Sequence, residues 1–186
     1  TTACAALLRQ LTTLLERTGR IHKQQPKDSS KRYALHAPEV ECIGKARKPC
    51  ESGVKVSIVV THKSGLIVGA RTFPGNPNKS HILHQQLEQT QMLLEGIGST
   101  LKQVIVDLGF RGVDADNPDV GIIHRGKYKS LTKPQRRWLM RRQAVEPTIG
   151  HLKSDHRMDR CWLPGKLGDA LHAVVCVAGY NLRCFR

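Results

Sequence analysis

Leu7, Leu8, Leu11, Leu14 and Leu15 recur near the amino end at intervals of three and four, the period of one helix face. They predict a helix over residues 3–18, with Gly19 as its stop. Residues 22–32 (HKQQPKDSSKR) are polar and basic around Pro26 and predict a linker. Residues 33–53 show no single period. The β-branched runs 54–61 (VKVSIVVT) and 66–71 (LIVGAR), joined by HKSG, predict a hairpin. PGNP at 74–77 predicts a loop. Ser80 is placed to cap a helix running to about Glu95, with Ile82, Leu83, Leu87, Leu93 and Leu94 as its apolar members and Gly96 and Gly98 at its end. QVIVD at 103–107 suits a buried strand, and residues 120–123 suit another. Thr132 followed by Pro134 marks a helix start. That helix runs to about Lys153, and Pro147 should kink or break it. A last helix begins near Gly168 and Asp169 and carries Leu171, Val174, Val175, Ala178 and Leu182. A hairpin, a helix, two strands and two helices, without internal repeat, make a mixed α/β domain.

Composition narrows the function. The 186 residues suffice for one domain. At 39% hydrophobic the chain is too apolar for a disordered basic tail, yet its strongest apolar run, 170–180, is interrupted by His172 and too short to cross a bilayer. Neither a signal peptide nor a membrane partner is expected. The formal net charge of +15 points to a polyanion, nucleic acid first. Aromatics at 4% exclude a base-stacking platform for single strands. The six cysteines form no CxxC pair, so free, mostly buried thiols in a reducing cytoplasm are expected. His151, His156 and Cys161, or His81 with His84, lack the second half of a zinc site, and zinc is not expected.

Two places carry candidate chemistry. Asp107 ends an apolar strand and is followed by LGFRG, where α/β sheets place ligands; the same carboxylate could simply cap the turn before Gly109. Arg142, Glu146 and Lys153 form the second. On one α-helix, Glu146 would lie about 40° round from Arg142, and Lys153 about 20° short of two further turns, so all three share a face. A carboxylate between two cations suits a divalent ion on DNA phosphate, and an ordinary Arg–Glu pair at i,i+4 gives the same spacing.

The blocks VDLGFRG (106–112), RRQAVEPTIGHLKSDHRMDRC (141–161) and GDALHAVVCVAGYNLR (168–183) resemble the C-terminal part of bacterial insertion-sequence transposases of the DDE class, in the insertion-sequence-five-like group. HAPEVECIGK (36–45), GVKVSIVV (53–60) and PGNP (74–77) resemble it too. The resemblance spans roughly residues 33–184.

It implies an α/β fold with an RNase H-like mixed sheet flanked by helices, here lacking the first strand and preceded by an N-terminal helix. Residues 1–32 would be that helix and a basic linker, and residues 33–186 the C-terminal part of the catalytic domain. It implies transposition by two-metal phosphoryl transfer on DNA, with Mg2+ or Mn2+ as cofactor. Asp107 matches the second acid, with Gly109 and Phe110 as its Gly-aromatic turn. Glu146 matches the third, within a Tyr-x2-Arg-x3-Glu-x6-Lys pattern that also places Arg142 and Lys153 as DNA-binding cations. Leu139 stands at the tyrosine position, beside Trp138, and Lys79 stands where relatives carry an acid. The first acid has no counterpart, so the chain is expected to be a truncated copy with an incomplete metal site, inactive alone. Expected partners are the DNA of the element ends and target, and a homo-oligomer or co-assembly with full-length transposase, in a bacterial, nucleoid-associated cytoplasmic setting. The second reading is a non-catalytic DNA-binding remnant that regulates the intact enzyme. An RNase H-like fold would bring the Asp107 and Glu146 carboxylates within roughly 8 Å, close enough for one ion.

Overall fold

The computed structural model of the chain describes residues 2–29, 31–45, 48–75, 77–110 and 116–185. Arg111 and Gly112 of the 106–112 block and Asn76 of the PGNP turn lie outside the described residues.

Helix α1 spans Thr2–Lys23 and runs through Gly19. A mid-helix glycine costs only about 0.5–1 kcal/mol. Arg20, His22 and Lys23 then occupy the last turn, where the helix dipole favours cations. α1 buries no residue, and its five leucines stay exposed. The segment without a clear period folds as an antiparallel pair, β1 (Glu41–Lys45) and β2 (Lys48–Gly53), with Glu41 opposite Gly53. Cys42 is disulfide-bonded, against the expectation of free thiols. Of the four described free cysteines only Cys176 is buried; Cys4, Cys161 and Cys184 are exposed.

The predicted hairpin forms as β3 (Lys55–Val60) and β4 (Ile67–Phe73), paired from Lys55 and Phe73 to Val60 and Ile67. Gly65 supplies the φ of +72° that the turn requires. Helix α2 (Lys79–Glu95) starts one residue before Ser80, with Asn78 at the cap position and no side-chain cap bond, so Ser80 is not the cap. It buries Ile82, Leu83 and Leu87, but also Gln86 and Thr90, while Leu93 is exposed.

Strands β5 (Gln103–Ile105) and β6 (Gly121–Ile123) pair in parallel and form the central layer. Alternation sends their side chains to opposite faces. Val104, Val106 and Ile122 pack with Leu83 and Leu87 of α2. Ile105 and Ile123 pack on the other side, with Leu131, Trp138 and Leu139. The last two lie on α3 (Lys133–Arg141), which opens with a capping box between Thr132 and Gln135. Among the described residues the strands thus form three two-stranded sheets, of which β3–β4 and β5–β6 pack against helices, an α/β arrangement.

The long helix expected up to Lys153 is broken. After α3 comes a 3-10 turn, Arg142–Ala144, and then α4 (Val145–Ser154). Pro147 is the cause: its ring crowds the carbonyl of Gln143, four residues back, and it offers no N–H. The tighter 3-10 geometry accommodates both. Helix α5 (Gly165–Cys184) begins three residues before Gly168. Its buried face is Gly168, Ala173, Cys176 and Val177, not the expected Leu171, Val174, Val175 and Leu182, which are half or more exposed. Asn181 fixes this roll: its side chain accepts from the Ile67 N–H at 2.9 Å and donates to the Ile67 carbonyl at 2.8 Å. With Asn181 tied to β4, Cys176 and Val177 meet Ile67, Ala70 and Leu152 in one cluster.

Candidate functional site

Asp107 stands two residues beyond the carboxyl end of β5, held by the Val106 N–H, which donates to the Ile123 carbonyl of β6 at 2.9 Å. Its Oδ1 accepts the Leu108 N–H at 2.9 Å, and its carbonyl accepts the Phe110 N–H at 3.0 Å. The carboxylate therefore does cap its own 3-10 turn, Leu108–Phe110. It also faces outward: Oδ2 lies 3.9 Å from an Arg142 guanidinium nitrogen, with 46% of the Asp107 side chain and 30% of the Arg142 side chain exposed. A pair this exposed adds at most about 1 kcal/mol to stability.

That contact joins the two sequence constellations across the break before α4. Among the described residues Arg142 pairs with Asp107 and not with Glu146. The 3-10 turn explains why. At about 120° per residue instead of 100°, it carries Arg142 to roughly 100° from Glu146, where a continuous α-helix would leave about 40°. The expected single face for Arg142, Glu146 and Lys153 is therefore corrected. Glu146, in the first turn of α4, and Lys153, in its last, remain on one helix and are exposed. Leu139, at the tyrosine position, is 5% exposed and belongs to the core beside Ile123 and Leu131. Trp138 instead meets the His62 ring edge-on at 5.9 Å.

The sequence predicts the hairpin loop HKSG but not its position beside α3. Arg141 donates to the Lys63 carbonyl at 3.3 Å, so the tip sits against the carboxyl end of α3. Partial desolvation, helped by the Arg141 and Lys63 charges, holds the pKa of the exposed His62 ring below its ordinary value. Glu39 is used elsewhere: its Oε1 accepts the Gly165 N–H at the start of α5, at 3.0 Å. Two open clefts, of about 410 and 300 Å3, are lined by residues around Lys23 and Asp28 and around Phe73 and His81, away from Asp107.

The transposase DDE domain model matches residues 20–182, most of the chain. The chain belongs to this transposase family. No curated protein and no solved structure shows significant similarity to it. The match begins inside α1 and includes every residue of both constellations.

Transposases of this family generally use divalent metal ions. Among the described residues of this transposase chain, no group of three or more His, Cys, Asp or Glu side chains could hold one. Asp107 already accepts a backbone N–H and faces a guanidinium. These donors do not make up a two-ion site. What the arrangement offers is a carboxylate and a cation side by side at the end of a central strand. The cation suits an incoming phosphate, and the carboxylate would be one ligand of a larger set. No helix among the described residues is long and apolar enough to cross a membrane.

Proposed function

We propose that the chain works on DNA in transposition, as an insertion-sequence-five-like member of bacterial origin with an RNase H-like core. The observation that carries the reading is the 3.9 Å contact between Asp107 and Arg142, which joins two sequence blocks 35 residues apart at the carboxyl end of a parallel strand pair. Helices packed on both faces of that pair support the core assignment. In this reading Asp107 and Glu146 serve as the second and third acids, and Arg142 and Lys153 hold DNA phosphate. Arg142 occupies Asp107 while no DNA is bound, and a phosphate oxygen entering the site competes for the guanidinium and releases the carboxylate.

A ligand set with the second and third acids but no counterpart of the first fits a chain that binds DNA without cutting it. The regulatory reading, in which the chain occupies ends otherwise bound by an intact transposase, follows from the same shortage.

The test measures duplex binding, and Mg2+- or Mn2+-dependent nicking and strand transfer on DNA carrying the element ends. Salt-sensitive binding without cutting is expected, with broad weakening by Arg142→Ala and by Lys153→Ala. Cutting that disappears in Glu146→Ala would show a complete metal site and overturn the predicted inactivity. Failure to bind duplex at low salt would overturn the DNA reading.

A further inference from the structure

Between Asp119 and Glu146 the chain carries eight Lys and Arg residues and no Asp or Glu, more than half of the whole net charge of +15. Helix α3 lies in this stretch. At 100° per residue, Lys133, Arg137 and Arg141 fall within about 80° of one another. They lie opposite Leu139, the one buried residue of the helix. All three are exposed. Among the described residues no carboxylate pairs with any of them; Arg141 meets only the Lys63 carbonyl, which leaves its charge uncompensated.

This ridge runs against the helix's own stability. Lys133–Arg137 and Arg137–Arg141 are like-charge pairs at i,i+4, each costing a few tenths of a kcal/mol. Lys133 sits in the first turn, where the dipole disfavours a cation and no acid offsets it. Local rules broken together on one exposed face point to a partner that supplies the missing negative charge. The ridge spans about 12 Å. One DNA strand offers a phosphate about every 3.4 Å along the axis, so three or four phosphates fit that length. The ridge ends beside Arg142, which reaches Asp107.

We propose that Lys133, Arg137 and Arg141 form a track for one strand backbone of duplex DNA, leading it to the Asp107–Arg142 pair. This rests on the DNA reading above and adds the surface and the direction of approach. The contact is to phosphate, so it carries little sequence preference.

The experiment is a salt titration of binding to a short duplex by the full chain, using Lys133→Gln/Arg137→Gln, which spares the Arg141 bond to the hairpin tip. The charge-matched control is Arg9→Gln/Lys23→Gln on α1. Loss of two phosphate contacts should flatten the log–log salt slope by about 1.8 and weaken binding some tens-fold at 0.1 M salt. The control should change little, and Arg137→Lys should keep the wild-type slope. Circular dichroism checks that α3 remains folded. If the wild type binds duplex and the two charge-matched variants behave alike, the track is overturned and the DNA reading stands. If the wild type does not bind duplex, the DNA reading itself fails. A larger loss toward single-stranded RNA of equal length than toward duplex DNA would also overturn the proposal.

Discussion

Gly69 on β4 and Gly150 on α4 should respond in opposite directions to the same substitution. A Cβ at Gly69 would clash with the Thr90 Oγ1 and lie 2.9 Å from the Gln86 Nε2 of α2. Both side chains are fully buried, at 0% and 1% exposure, so neither can swing into solvent. The Thr90 hydroxyl also donates to the Gln86 carbonyl at 2.8 Å. Gly69→Ala must therefore push α2 off β4 or break that bond. Overpacking costs about 1–3 kcal/mol. An orphaned buried hydroxyl adds about 1–3 kcal/mol. Against this stands about 0.4–1 kcal/mol gained from a stiffer unfolded chain. The net is about 1–5 kcal/mol of destabilisation, a Tm lower by roughly 2–20 °C in a domain of this size. Gly150 has nothing within 4 Å of its would-be Cβ, so Gly150→Ala should stabilise by about 0.4–1 kcal/mol. Urea unfolding at constant m-value measures both. Thr90→Ala removes the oxygen that clashes, so combined with Gly69→Ala it should show a coupling of about 1 kcal/mol or more. A Gly69→Ala protein within 0.5 kcal/mol of wild type, or strictly additive costs in the double variant, would refute the packing argument.

Leu152→Ala, at a side chain only 1% exposed between the hairpin and α5, should cost about 2–5 kcal/mol by urea melts. Asp155 has its pKa lowered to about 2 by the Ser154 hydroxyl first, then by His151 and Arg183. The folded pKa lies below the unfolded one, so its stabilising effect is complete above the ordinary Asp value and is lost as pH falls toward 2. A carboxyl NMR titration should find this midpoint and see it rise in His151→Ala; an ordinary Asp midpoint would contradict the hydrogen-bond pattern. His62, its pKa lowered by partial desolvation and then by Arg141 and Lys63, is easier to protonate when unfolded, so stability falls as pH drops through its ordinary value. Arg141→Gln should raise the His62 midpoint in an imidazole NMR titration, and an unchanged midpoint would remove Arg141 from that environment.

The elements with strong local signals were legible along the chain. Residues 54–71 announced the β3–β4 hairpin through β-branched residues around a Gly-ended turn. Thr132 and Pro134 announced the start of α3, and Pro147 announced the break before α4. The acid at the end of β5 and the Arg-Glu-Lys block were legible as candidate chemistry because their residue types and spacing are local properties. These are effects of a residue on its own neighbourhood, through φ restriction, capping and side-chain period.

Facing direction and partnership were decided elsewhere. The leucines of α1 have helical spacing yet remain exposed, and α5 turns Ala173, Cys176 and Val177 inward although its larger side chains lie on another face. Its roll is set by Asn181 bonding to Ile67, 114 residues away. Arg142 fits Glu146 by spacing but reaches Asp107, because the 3-10 turn rotates it and the β5–β6 layer brings Asp107 within reach. Periodicity states which positions can share a face; it carries no information about which distant backbone will present itself there. That information exists only once the sheets and helices pack, because contacts across long stretches of chain form together or not at all.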